Sequence, residues 1–180
     1  AWRTRDRWMT CCDAGDWEGA RSLLSTDFVM KDGRRLIRLE GGADMAIANA
    51  QQTVGLGAWP ERTLLATAGE RLMLEHLIYR SRKNPDSFEI ELLVLYEIDD
   101  SNRIVAANAF DADDEIAARE ELAERYAAAE SDGMPAALWE FARGANAHDL
   151  AALKATLSDD YILDDHRRTG MGRIEGRDAH

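Results

Sequence analysis

Apolar positions along this chain change period twice, and the changes mark its elements. Over residues 1–14 they return at helical spacing, with Trp8, Cys11 and Cys12 on the inner face, and Gly15 ends the run. Asp16 is a natural N-cap for a short second helix carrying Ala20, Leu23 and Leu24 at i, i+3 and i+4. Alternation follows: Phe28, Met30, Asp32 and Arg34 share one strand face, and Val29, Lys31, Gly33 and Arg35 the other. A third helix is predicted from Ala43 to about Thr53, closed by Gly55 and Gly57. From Trp59 onward the period is two. Strands over 61–67, 71–81, 88–98 and 103–110, with turn residues at 68–69, 84–86 and 99–102, make a meander of antiparallel hairpins. In the third of them Phe88, Ile90, Leu92, Val94, Tyr96 and Ile98 form one apolar face, opposite Glu89, Glu91 and Glu97. Residues 112–130 read as a helix, entered through the acidic run Asp111 to Glu115, which the helix dipole favours.

Much of this order is written twice. Asp16 to Arg35, shifted by 133 positions onto Asp149 to Arg168, keeps seven of twenty residues, and Phe28/Tyr161, Val29/Ile162 and Met30/Leu163 differ mainly in size. The match resumes with Arg38-Leu-Glu-Gly41 against Arg173-Ile-Glu-Gly176. The period is that of a domain and not of a solenoid repeat. Residues 131–135, Ser-Asp-Gly-Met-Pro, break the chain, so the expected organisation is one complete domain over 1–130 and the N-terminal part of a second, incomplete repeat over 131–180. The later piece has two helices and a strand but no meander to cover them. It is expected to dock on the first domain or to exchange with a second chain across a hinge at 133–135.

The chain has 180 residues and a formal charge of -12. That disfavours partners such as nucleic acid or an anionic membrane, although Arg34, Arg35 and Arg38, and Arg80, Arg82 and Lys83, form local basic clusters. The two cysteines, Cys11 and Cys12, are neighbours and read as reduced thiols, and with no signal-peptide pattern or long apolar run the expected location is cytoplasmic.

Helix, short helix, strand, helix and then a curled meander resembles the NTF2-like superfamily, and within it the SnoaL-like branch. The likeness rests on Ala14-Gly-Asp-Trp17, on Ser25-Thr-Asp-Phe-Val29 and on the last hairpin, Tyr96-Glu-Ile-Asp-Asp-Ser-Asn-Arg-Ile-Val105. It covers residues 1 to about 115 and the start of the second copy. The fold it implies is an α+β cone-shaped roll, three N-terminal helices against a curved antiparallel sheet. This fold hosts isomerases, polyketide cyclases, hydrolases and domains without chemistry, so the residues must decide. The tandem arrangement, with Asp165-His-Arg-Arg168, is similar to SnoaL-like modules appended to large bacterial regulatory proteins. The reading is a non-catalytic small-molecule-binding or dimerisation module, a homodimer formed through a broad sheet face. The alternative is an isomerase, polyketide cyclase or hydrolase with acid/base residues in the cone.

Catalytic candidates are few. Asp32 and Arg34 lie two apart on one strand face and can pair, either as a ligand contact or as a solvent-facing ion pair. Mid-strand, His76 shares a side with Leu72, Leu74 and Ile78, which would lower its pKa, and is expected to be mostly buried. Glu75 and Tyr79 share the other side with Met73. Were Glu89 and Glu91 to mirror them, carboxylates would crowd and one would stay protonated; the competing expectation is an ordinary wet surface. Phe28, Trp59 and Tyr96, with Arg34, are the ligand-binding candidates, for a small apolar or mixed-polarity ligand. No metal pattern or phosphate loop is present in the sequence, so neither a metal nor another cofactor is expected.

Overall fold

The computed structural model describes residues 1–82, 84, 87–129, 136–166, 169, 170 and 172–177. The predicted break and hinge at 131–135, Lys83, most of the turn at 84–86, and Arg167 and Arg168 of the repeat lie outside the described residues. The chain divides into two compact units, Ala1–Tyr126 and Ala127–His180.

In the first unit, α1 (Trp2–Ala14) ends at Gly15, whose φ of 72° is the left-handed conformation that glycine adopts freely. Asp16 then caps α2 (Trp17–Ser22), its carboxylate accepting from the Gly19 N–H. β1 (Leu24–Asp32) and β2 (Leu39–Gly41) form a hairpin before α3 (Ala43–Gly55). The meander is β3 (Ala58–Ala68), β4 (Leu72–Ser81), β5 (Glu89–Ile98) and β6 (Ile104–Asp111), followed by α4 (Glu115–Ala129).

The six strands form one sheet in the order β2-β1-β6-β5-β4-β3. The meander pairs antiparallel, as short turns require, but β1 runs parallel to β6, so the sheet is mixed where a wholly antiparallel one was expected. The reason is topological. β1 and β6 are separated by α3 and three strands, and no local pattern fixes the direction in which such distant partners meet. Register shifts at Leu24/Val29, Leu64/Ala66 and Glu97/Ile98 interrupt the ladders and curve the strands.

Alternation gives the sheet two different faces. Odd positions of β4 and even positions of β5 turn toward α1, α2 and α3, where Leu77, Leu92, Val94 and Ile98 join Phe28, Ile47 and Ala50 in the main core. The opposite positions, Leu72, Leu74, Leu93 and Leu95, pack under Ala118 and Leu122 of α4. The broad bare face on which the dimer expectation rests is therefore covered at this end by the chain's own helix. The acidic run has a further role beyond opening α4. Asp111 accepts from the Arg35 backbone N–H at 2.9 Å and Nε at 3.0 Å, and Asp113 from Arg35 Nη2 at 2.5 Å, which pins the loop after β1 to the end of β6. The backbone N–H of Arg35, before its side chain, holds the Asp111 carboxyl below its ordinary pKa.

The second unit contains α5 (Ala136–Asn146), α6 (Leu150–Ala155), β7 (Ile162–Asp165) and β8 (Gly172–Glu175). The close approach of α5 and α6 uses Gly144, where a Cβ would stand 3.1 Å from the Leu153 backbone nitrogen. Asp149 caps α6 as Asp16 caps α2, accepting from Ala151 and Ala152 N–H at 3.0 Å. In the first hairpin Met30 pairs with Gly41, and in the second Leu163 pairs with Ile174, each partner 133 positions further on.

Leu95 is 1% exposed between the sheet and α4. Leu95→Ala is expected to destabilise the first unit by about 2–5 kcal/mol, measured as a lowered urea midpoint at unchanged slope.

Candidate functional site

Between the inner sheet face and helices α1 and α3 lies a cavity of about 310 Å³. Its walls are mainly apolar: Phe28 and Met30 from β1, Leu92 and Val94 from β5, and Ala107 and Ala109 from β6. Exposed Lys31, Gln52, Leu56 and Ile90 frame its mouth. Six of the residues singled out in the sequence line this one space: Phe28, Asp32, Arg34, Trp59, Tyr79 and Tyr96. Asp32 and Arg34 are brought together as a partly buried bidentate pair, Nε to Oδ1 at 2.9 Å and Nη2 to Oδ2 at 2.7 Å. Arg34 itself lies just past the end of β1, in the turn where its N–H also meets Asp32 Oδ1 at 3.2 Å. That hydrogen-bonded carboxylate raises the Arg34 pKa further. Trp59 also carries the Arg82 guanidinium 4.4 Å from its ring centre.

The cavity also holds a charge that the sequence reading passed over. Arg5 of α1 is 1% exposed and lines it, lying 4.6 Å from the Tyr96 ring centre and 5.0 Å from that of Trp8. Its counter-charge is Glu75, fully buried, with Oε2 3.5 Å from Arg5 Nε, near enough for attraction but outside hydrogen-bond geometry. Oε1 of Glu75 accepts from Arg62 Nε at 2.8 Å and Nη2 at 2.5 Å, and Arg62 in turn reaches Asp6 at 2.6 Å. Burial alone would lower the Arg5 pKa; the surrounding Tyr96, Glu75 and Tyr79 oxygens outweigh it, so the guanidinium stays charged. Burial pushes the Tyr96 and Tyr79 hydroxyls well above the ordinary phenol range, with Arg5 opposing the rise, so both are neutral at pH 7.

Glu75 is thus on the cone side of the sheet and not on a wet surface. The crowding of carboxylates does not occur, because the β4–β5 register sets Glu89 and Glu91 opposite Arg80 and Ile78, on the other face. His76 lies on that other face too. It is half-buried, 24% exposed, and its Nε2 is 2.7 Å from Glu91 Oε1. The structure therefore separates His76 from Asp32, Tyr79 and Tyr96 by the thickness of the sheet. Arg5 was detectable by register: it sits one turn before Trp8 and Met9 and two before Cys12, on the inner stripe of α1. A charge on that stripe is passed over because arginine is so seldom fully buried.

The sequence matches no protein-family model and no curated protein. Solved structures do match. RV0760c from Mycobacterium tuberculosis, also solved in complex with estradiol-17β-hemisuccinate, aligns over 63% of this chain and 95% of its own at 14% identity, with a TM-score of 0.50. An NTF2-like protein of unknown function from Cytophaga hutchinsonii aligns over 59% of this chain and 87% of its own, at 12% identity and a TM-score of 0.43. The fold is NTF2-like. A Δ5-3-ketosteroid isomerase from a Mycobacterium species covers 59% of this chain and 88% of its own, at 16% identity and a TM-score of 0.47. Identities this low speak to the NTF2-like fold alone.

Glu75→Ala would leave Arg5 buried without a counter-charge and is expected to cost about 3–5 kcal/mol by urea denaturation. Burial also pushes the Cys12 thiol up to about 11. Iodoacetamide at pH 8, followed by mass spectrometry, should therefore alkylate Cys12 roughly a hundredfold more slowly in the native than in the unfolded chain, since the thiolate is the reacting form.

Proposed function

We propose that the first unit is a non-catalytic small-molecule-binding module, and that its ligand is a mainly apolar molecule with a polar end, held in the cone cavity. The observation that carries this reading is the state of Asp32. Among the described residues lining the cavity it is the only carboxylate, and both its oxygens accept from Arg34. Acid/base turnover asks for a group free to take a proton within reach of the ligand. Of the other candidates, Glu75 is committed to Arg62 and Arg5, His76 faces away from the cavity, and Tyr79 is a neutral phenol. The volume and the apolar walls with a few converging polar groups suit a small organic ligand.

The order helix, short helix, hairpin in residues 136–177, with a matching Asp cap and the same hairpin register, supports the further reading that the second unit opens a second copy of the same domain.

The test of the binding reading is a fluorescence titration with 2-acetylnaphthalene, a neutral apolar ketone that such a space would admit. Saturable one-to-one binding is expected. Ala109→Phe, which adds a ring to the cavity wall, should weaken it by about tenfold or more. Binding that does not saturate, or that Ala109→Phe leaves unaltered, overturns the proposal.

A further inference from the structure

At the Arg5 end of the cavity, hydrogen-bond donors outnumber acceptors. Arg5 Nε and Nη1 and Trp8 Nε1 are all buried with no acceptor, and both residues line the cavity. They come from one face of α1, three residues apart, so the helix presents them together. Among the described residues the acceptors beside them are fewer: the Tyr96 hydroxyl, and Glu75, whose Oε1 is engaged and whose Oε2 has no hydrogen bond. Glu75 gives Oε1 to Arg62, and its Oε2 stands off Arg5 Nε at 3.5 Å. Two guanidiniums thus share a single fully buried carboxylate, because Asp6, the other partner of Arg62, is 45% exposed. The Asp32–Arg34 pair, which also lines the cavity, is neutral in sum and offers no second anion. Buried donors in native proteins nearly always have acceptors, and a desolvated cation is met most strongly by an anion.

We infer that the cavity selects ligands bearing a carboxylate at one end of an apolar body, with the carboxylate oxygens accepting from Arg5 Nη1 and Trp8 Nε1. The apolar body would lie along Phe28, Met30, Leu92 and Val94, which supply contact area without competing polar groups. This inference rests on the small-molecule reading and adds the charge of the ligand. If Arg5 were only a structural cation held between the rings of Trp8 and Tyr96, ligand charge would make no difference.

The two cases separate in calorimetric titrations of the full chain at pH 7 with 2-naphthoate and with its neutral counterpart 2-acetylnaphthalene. Naphthoate is expected to bind at least about tenfold more tightly, the range of a charge-assisted bond in a dry site. In Arg5→Met the ratio of the two affinities should fall to near one, and in Trp8→Phe, which keeps a ring and removes the N–H, it should fall part of the way. Thermal melts establish that each variant is folded, and Trp8→Phe decides the matter should Arg5→Met fail to fold. Equal affinity of the wild type for the two probes overturns the inference while the cavity reading stands. A preference that survives in Trp8→Phe and in any folded Arg5→Met overturns it as well, because the anion would then lie elsewhere. Binding of neither probe removes both readings.

Discussion

A carboxylate with no access to solvent joins α1 to the sheet, and the interior of the first unit is arranged about it. Glu75 points from the middle of β4 to the helix side, where Arg62 of β3 holds one oxygen and Arg5 of α1 stands by the other. Removing three such charges from water is expensive and adds little net stability compared with an apolar filling. What it does fix is rotation. If α1 turned about its axis, Arg5 would lose its counter-charge, and the same rotation would carry Trp8, Met9 and Cys12 out of the cavity wall. The shape of the cavity and the position of its charge are therefore tied to the ion pairs that hold α1 to the sheet, Arg5–Glu75 with Asp6–Arg62 and Asp13–Arg82.

Most of the fold was legible because most of it is local. Period-two apolar runs with short turns specify antiparallel hairpins, and the strand bounds shifted by no more than a few residues: β3 begins at Ala58 where 61 was expected, and β4 at Leu72 where 71 was. The face shared by Phe28, Met30 and Asp32 turned inward because alternation leaves only two choices and the aromatic residue selects one. Parallel pairing of β1 with β6 was not legible, since it depends on partners far apart in sequence. The cover that α4 gives to Leu74 and Leu95 was not legible either: its sparse contacts, Ala118 and Leu122, leave only a faint apolar stripe on that helix.

For the site, the sequence identified residues better than their surroundings. Alternation correctly placed His76 and Glu75 on opposite faces, but which face looked into the cone depended on the register of β4 against β5 and on α1, and neither is written in the strand itself. A histidine among leucines looks like a buried base. Here those leucines lie under α4, and His76 sits at the edge of that cluster with Glu91. A glutamate between a methionine and a tyrosine looks like a surface charge, and here it is the most enclosed ion among the described residues. In both cases the missing information was the identity of the element packed above, which is a tertiary fact.

The arrangement around Glu75 also gives the protein's descent a direction. Loss of Arg5 would leave Glu75 still bonded to Arg62, whereas loss of Glu75 first would strand Arg5 in a dry interior, while Arg62 would keep Asp6 and the Trp2 ring. Substitutions at the two positions are therefore not exchangeable in order. A lineage drifting toward an uncharged cavity would pass through position 5 before position 75, while Met30, Val94 or Ala109 could change singly at any time. Among descendants of this chain, the outline of the cavity should diversify quickly and its polarity slowly, in that fixed sequence of steps.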